Sequence, residues 1–171
     1  MNLSSLVRDI PDFPEPGIVF KDITPVLADH TAFTDVVAAL AEPYRHLLIN
    51  KVAGIEARGF TLAAPVALEL GAGFIPLRKP GKLPWTTINQ SYNLEYGTDA
   101  LEMHIDAIAA GEQVLVVDDV IATGGTAAAA VQLIERAGGK VAGLAVFIEL
   151  GFLNGRAAID GVPFHALVRY D

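Results

Sequence analysis

Cysteine is missing from the 171-residue chain, so no disulfide closes the fold and no thiolate chemistry is open to it. That suits a reducing compartment, and a cytoplasmic location is expected. Positive charge is scarce, with 12 Lys and Arg against 20 Asp and Glu and a net charge of −8. The balance argues against nonspecific binding to nucleic acid or an anionic membrane, and any anionic ligand needs a local basic site. Long apolar runs are also lacking. The most apolar window, 60–77, is broken by Pro65, Glu69, Gly71 and Gly73 and reads as helix, turn and strand rather than a membrane span. Arg8 and Asp9 stand where an export signal would need its apolar stretch, so none is expected. The histidines, His30, His46, His104 and His165, are scattered without metal-ligand spacing and read as structural.

What is present suffices for one core. The hydrophobic share is 52%, ample for a single domain over 1–171. Phe33, Val36, Val37 and Leu40 recur at helical spacing and predict a helix over 31–47, with Pro43 a late interruption. Strands are predicted at 51–55, 73–77, 140–148 and 164–169, with strand pieces near Leu94 and Leu101, and helices at 60–70 and, short, at 154–159. Alternation of this kind, with no repeat or low-complexity tract, means α/β: a central, mostly parallel sheet flanked by helices. The proline-rich residues 1–30 are expected to fold over the domain as a small hood. Residues 79–93 are polar and short of core residues, the pattern of a mobile loop over a site.

The most informative stretch is Val114-Leu-Val-Val-Asp-Asp-Val-Ile-Ala-Thr-Gly-Gly-Thr126. Val114 to Val117 suit a strand covered on both faces, which puts Asp118 and Asp119 at its carboxyl end, the rim where open α/β sheets bind ligands. Ala122, Thr123, Gly124, Gly125 and Thr126 follow, with glycines for close backbone approach and hydroxyls as donors. A helical pattern begins there, so a phosphate would meet unpaired N–H groups and the positive end of the helix dipole. Two carboxylates would repel that phosphate, so they must serve another part of the ligand. A ribose diol on the acid pair with its 5-phosphate in the loop gives each group a compatible partner. The Walker ending GK[ST] and the dinucleotide fingerprint GxGxxG are both absent from the stretch.

A second anion site is suggested by Gly54-Ile-Glu-Ala-Arg-Gly59, where Arg58 supplies a cationic fork between glycines. Arg78, Lys79 and Lys82 concentrate positive charge in an otherwise acidic chain, as a loop closing over an anion requires.

The string 114–126 resembles the binding signature of the type I phosphoribosyltransferases, which use 5-phosphoribosyl 1-pyrophosphate (PRPP). Phe13-Pro-Glu-Pro-Gly-Ile-Val-Phe-Lys-Asp-Ile-Thr-Pro25, Gly54-Ile-Glu-Ala-Arg-Gly-Phe60, Arg78-Lys-Pro-Gly-Lys-Leu-Pro84 and Tyr92-Asn-Leu-Glu-Tyr-Gly97 are similar to the adenine-specific branch of that family, in the same order and over nearly the whole chain. The resemblance implies the type I fold and a pentosyl transfer from PRPP to adenine, yielding AMP and pyrophosphate. It implies ribose-phosphate contacts at Asp118, Asp119 and 122–126, and pyrophosphate contacts at Glu56, Ala57, Arg58, Arg78, Lys79 and Lys82. Adenine contacts are implied at Val19, Phe20, Lys21 and Leu153. Glu95 matches the family's proposed catalytic glutamate, with Arg58 assisting. Mg²⁺ is expected to arrive with PRPP, without a direct protein ligand. A homodimer is implied, Arg78 matching a position that reaches a neighbouring subunit. Two positions depart from the common pattern: Ala57 replaces a serine, and Lys21 replaces an arginine, losing its planar fork. Transfer to hypoxanthine, guanine or xanthine is the nearest alternative activity, and a PRPP-sensing regulator would need a basic face or an added DNA-binding module.

Overall fold

The structure is a computed structural model and describes residues 3–93 and 97–171. Its centre is a five-stranded sheet. In chain order the strands are β3 (Lys51–Ile55), β4 (Gly73–Leu77), β7 (Gln113–Ile121), β8 (Lys140–Leu150) and β9 (Phe164–Tyr170). Their spatial order is β4-β3-β7-β8-β9, and every neighbouring pair is parallel. This agrees with the expected α/β class. Ahead of the sheet stands an antiparallel hairpin of β1 (Arg8–Pro11) and β2 (Val19–Asp22), followed by the short helix α1 (Thr24–Ala28).

Alternation along β7 explains why both sheet faces are covered. Side chains of successive strand residues point to opposite faces. Leu115 and Val117 join a core with Leu62, Val66 and Phe147, under helices α2 (His30–Ala41) and α3 (Arg58–Glu69). Val114 and Val116 join the other, with Leu133 and Ile134 of helix α4 (Gly125–Arg136). A strand between two helical layers has no polar face, which is why this one reads as a continuous apolar run. Helix α2 begins where the Asp29 side chain accepts a hydrogen bond from the Ala32 N–H at 2.8 Å. It ends before Pro43, which sits in a 3-10 turn at Glu42–Tyr44 instead of extending the helix to residue 47.

Two expectations are corrected. The segment 79–93 is loop only in its first half, because β5 (Thr87–Asn93) pairs antiparallel with β6 (Thr98–His104). Strand β6 covers the piece expected near Leu101, and the piece expected near Leu94 lies outside the described residues. Polar residues hide β5 in the sequence, yet Ile88 and Tyr92 share a face and pack on the α4 side of the core. The acid pair also lies within β7, since pairing with β8 continues past Asp118 to Ile121. Among the described residues no helix is long and apolar enough to cross a membrane.

Phe147, fully buried at the centre of β8, tests the layer argument. Phe147→Ala is expected to cost roughly 3–5 kcal/mol through lost apolar burial and the cavity left behind. Urea unfolding read by circular dichroism should show this as a lowered midpoint with an unchanged slope.

Candidate active site

Strands β3 and β7 lie side by side in register, Gly54 opposite Val117, so the chain leaving each opens on the same rim. One cavity of about 420 Å³ forms there. Its lining includes Glu56, Ala57 and Arg58 from the first connection, Asp118, Asp119 and the whole of 122–126 from the second, and Lys79. Most of the residues expected to hold a sugar phosphate and pyrophosphate therefore share one space.

The loop after β7 is shaped for an anion. Gly124 takes the left-handed conformation at φ +86° directly before α4, and no side chain caps that helix. The first N–H groups of α4 therefore have no helical carbonyl to bond and face the loop. The other wall comes from α3, which sits tightly on the acid pair. A β-carbon placed on Gly59 would come within 2.7 Å of Asp118 Oδ1 and 3.2 Å of the Val117 carbonyl oxygen.

Asp119 is 4% exposed. Its Oδ2 is held by Arg58 as an ion pair, 2.6 Å from Nε, in an alignment that falls short of a hydrogen bond. A buried carboxylate oxygen paired with one guanidinium in a cavity wall keeps lone-pair capacity for a hydroxyl donor from a ligand. Asp118 Oδ1 accepts the Asp119 N–H at 2.8 Å. Enclosure by protein, and then the Asp119 charge, push the Asp118 carboxyl well above its usual range.

The basic residues all carry internal carboxylate partners. Glu56 Oε1 lies 3.0 Å from Arg78 Nη2 and 3.1 Å from Lys82 Nζ, while its Oε2 accepts the Lys79 N–H at 2.8 Å. Loss of water around Glu56 opposes ionisation, but these three donors outweigh it and hold the carboxyl down at about 2. Lys79 Nζ pairs with Asp99 and donates to Tyr92 Oη at 2.6 Å. Partial burial opposes that charge, and the two partners more than compensate, so the Lys79 amine is raised. Glu56 itself is thus an acceptor for the basic loop, and the Arg78 guanidinium turns to its own chain's Glu56.

The expected adenine contacts are less assembled. Val19, Phe20, Lys21 and Leu153 all stand outside the cavity lining. Phe20 packs edge-on against Phe13 and lies under the Arg58 guanidinium, 4.5 Å from its ring centre. Lys21 is committed to Asp9 at 2.7 Å and to the Tyr170 ring at 4.0 Å. Val19 and Leu153 are exposed. Glu95 lies outside the described residues.

Comparison with known proteins follows this geometry. Residues 26–158 match the family model for the phosphoribosyl transferase domain. The adenine phosphoribosyltransferase of Thermobifida fusca is 62% identical over 161 residues, covering 94% of this chain and 92% of that one. The chain belongs to the adenine phosphoribosyltransferase family. Among solved adenine phosphoribosyltransferases, the Rhodothermus marinus structure superposes with a TM-score of 0.95 at 54% identity, covering 98% of this chain and 96% of that one. The Saccharomyces cerevisiae structure, complexed with an imino-altritol bisphosphate and adenine, gives a TM-score of 0.92 at 38% identity, with 96% of each chain covered. Within this phosphoribosyltransferase fold, sequence reasoning missed Tyr92 and Asp99 as partners of Lys79, and Glu149 with Arg156 behind the phosphate-shaped loop. No short-range spacing marks them, because the β5–β6 hairpin and the turn after β8 create the contacts.

The Glu56 cluster yields a signed pH prediction. A carboxyl depressed in the folded state from 4.5 to about 2 stabilises the fold above pH 4.5, and that contribution fades as pH falls toward 2. Wild type should exceed Glu56→Gln by about 1–3 kcal/mol at neutral pH, allowing for the exposure of Lys82. Paired denaturation series should show the two proteins converging in acid, and a pH-independent gap would remove the ionic account.

Proposed function

We propose that this chain works in purine salvage, transferring the phosphoribosyl group of PRPP to adenine and releasing AMP and pyrophosphate. The observation that carries the reading is the shared cavity: the buried Asp119 carboxylate, ion-paired to Arg58, beside the uncapped start of α4. A ribose diol would satisfy the acid pair, and the 5-phosphate would take the N–H groups of 122–126 with the hydroxyls of Thr123 and Thr126. Support for the base comes from the relatives, named for adenine, and from the yeast structure with adenine bound.

In the reaction the bond from C1 of the ribose to pyrophosphate breaks, adenine N9 bonds to C1, and the N9 proton must leave. Positive charge builds on the sugar and negative charge on the departing group. Arg58, Arg78, Lys79 and Lys82 are assigned to that leaving charge. Pyrophosphate would replace Asp119 and Glu56 as the counterion of Arg58, Arg78 and Lys82, so binding exchanges one set of ion pairs for another. The donor set around Asp118 and Asp119 fits Mg²⁺ brought in on substrate oxygens and water, and the ion would help neutralise pyrophosphate. Glu95 is assigned to accepting the N9 proton or offsetting charge on the sugar. Val19, Phe20, Lys21 and Leu153 are assigned to the base, through backbone groups and apolar contact. We assign the working form to a cytoplasmic homodimer, on family resemblance.

Incubation with PRPP, Mg²⁺ and each purine separately tests the base assignment. AMP from adenine is expected, and nucleotide from hypoxanthine with none from adenine would overturn it. Glu95→Gln should lower kcat far more than it raises the KM for PRPP, whereas equal turnover would remove Glu95 from the chemistry.

A further inference from the structure

Behind the 122–126 loop lies an ion pair, buried on its carboxylate side, with no part in the mechanism above. Glu149, near the carboxyl end of β8, is 3% exposed. Its carboxylate is fully engaged: Arg156 donates through Nε to Oε1 at 2.6 Å and through Nη2 to Oε2 at 2.7 Å. Arg169 Nη1, from neighbouring β9, stands 3.6 Å from Oε1. The Arg156 guanidinium also stacks on Phe164, 4.4 Å from the ring centre. A bidentate, stacked arginine is held in position as well as in charge, which a lysine cannot reproduce.

Arg156 belongs to the 3-10 turn Gly155–Ile159, and that turn abuts the loop backbone to backbone. A β-carbon on Gly155 would meet the Ala122 carbonyl oxygen and would stand 3.0 Å from Ile121 Cγ1. One on Gly124 would meet the Gly155 carbonyl oxygen and would stand 2.8 Å from Ala158 Cβ. No side chain lies between the two glycines to absorb movement, so displacement of the turn passes directly into the loop. Ile159, 4% exposed, anchors the far end of the turn in the core. At the near end Glu149 is the only charged tether recorded for Arg156 among the described residues.

We infer that Glu149 and Arg156 are positioning residues that brace the 122–126 loop from behind and so set its affinity for the 5-phosphate of PRPP and AMP. Neither touches the substrate. This rests on the assignment of that loop to the phosphate. Without the pair, the loop N–H groups lose their preorganisation and ligand binding must restore it. The pyrophosphate side, built on β3 and α3, does not lean on this turn.

The test compares wild type, Arg156→Ala, Arg156→Lys and the loop variant Thr126→Val by calorimetric binding of ribose 5-phosphate, AMP and pyrophosphate, with melting temperatures alongside. Arg156 is half exposed on its side chain, so truncation leaves the core packed, and the lysine variant carries the test should the alanine variant not fold. For Arg156→Ala, ribose 5-phosphate and AMP should each bind roughly tenfold or more weakly, with pyrophosphate affinity held within about twofold. Arg156→Lys should fall between. A lowered melting temperature with unchanged ribose 5-phosphate affinity would overturn the brace, as would equal weakening of all three ligands. If Thr126→Val weakens ribose 5-phosphate and Arg156→Ala does not, only the brace fails. Unchanged binding in Thr126→Val would sink the phosphate assignment, and the brace with it.

Discussion

The contact on which the site depends is a missing side chain. Helix α3 lies close against the end of β7 at Gly59, where a β-carbon would stand 2.7 Å from the Asp118 carboxylate and 3.2 Å from the Val117 carbonyl oxygen. That approach brings Arg58 to Asp119 and joins two strand-to-helix connections into one cavity. Parallel pairing of β3 with β7 supplies the coarse placement, and the glycine supplies the last few ångströms.

Charge is the second theme. This acidic chain keeps the basic residues at and beside the cavity occupied by its own carboxylates: Arg58 with Asp119, Arg78 and Lys82 with Glu56, and Lys79 with Asp99. Such pairing avoids leaving several like charges facing one another in a partly dehydrated cleft. It also means that any anion reaching these cations competes with internal carboxylates. Glu149 plays a different part, because its charge is spent on holding a turn behind the loop.

Much of the fold was legible because its signals are local. The apolar runs of β3, β4, β7 and β8 and the helical spacing of α2 and α4 each reflect burial on one or both faces. Strand β5 was not, because only Ile88 and Tyr92 among its residues pack inward, and they do so against side chains far along the chain. Asp118, Asp119, the glycine loop and Arg58 announced themselves through residue type and order. Glu56 did not announce its role. A carboxylate in a motif expected to hold pyrophosphate becomes intelligible only once Arg78 and Lys82 are seen against it.

By itself the sequence determined the alternation of strands and helices and the acid pair followed by a glycine turn. Those features depend on neighbours within a few residues, where periodicity and backbone freedom operate. Tertiary structure alone decided which carboxylate holds which cation, how far Lys21 is committed to Asp9 and Tyr170, and what stands behind the phosphate loop. These are contacts between segments distant along the chain, and their distances are set by how the sheet and its helical layers pack together.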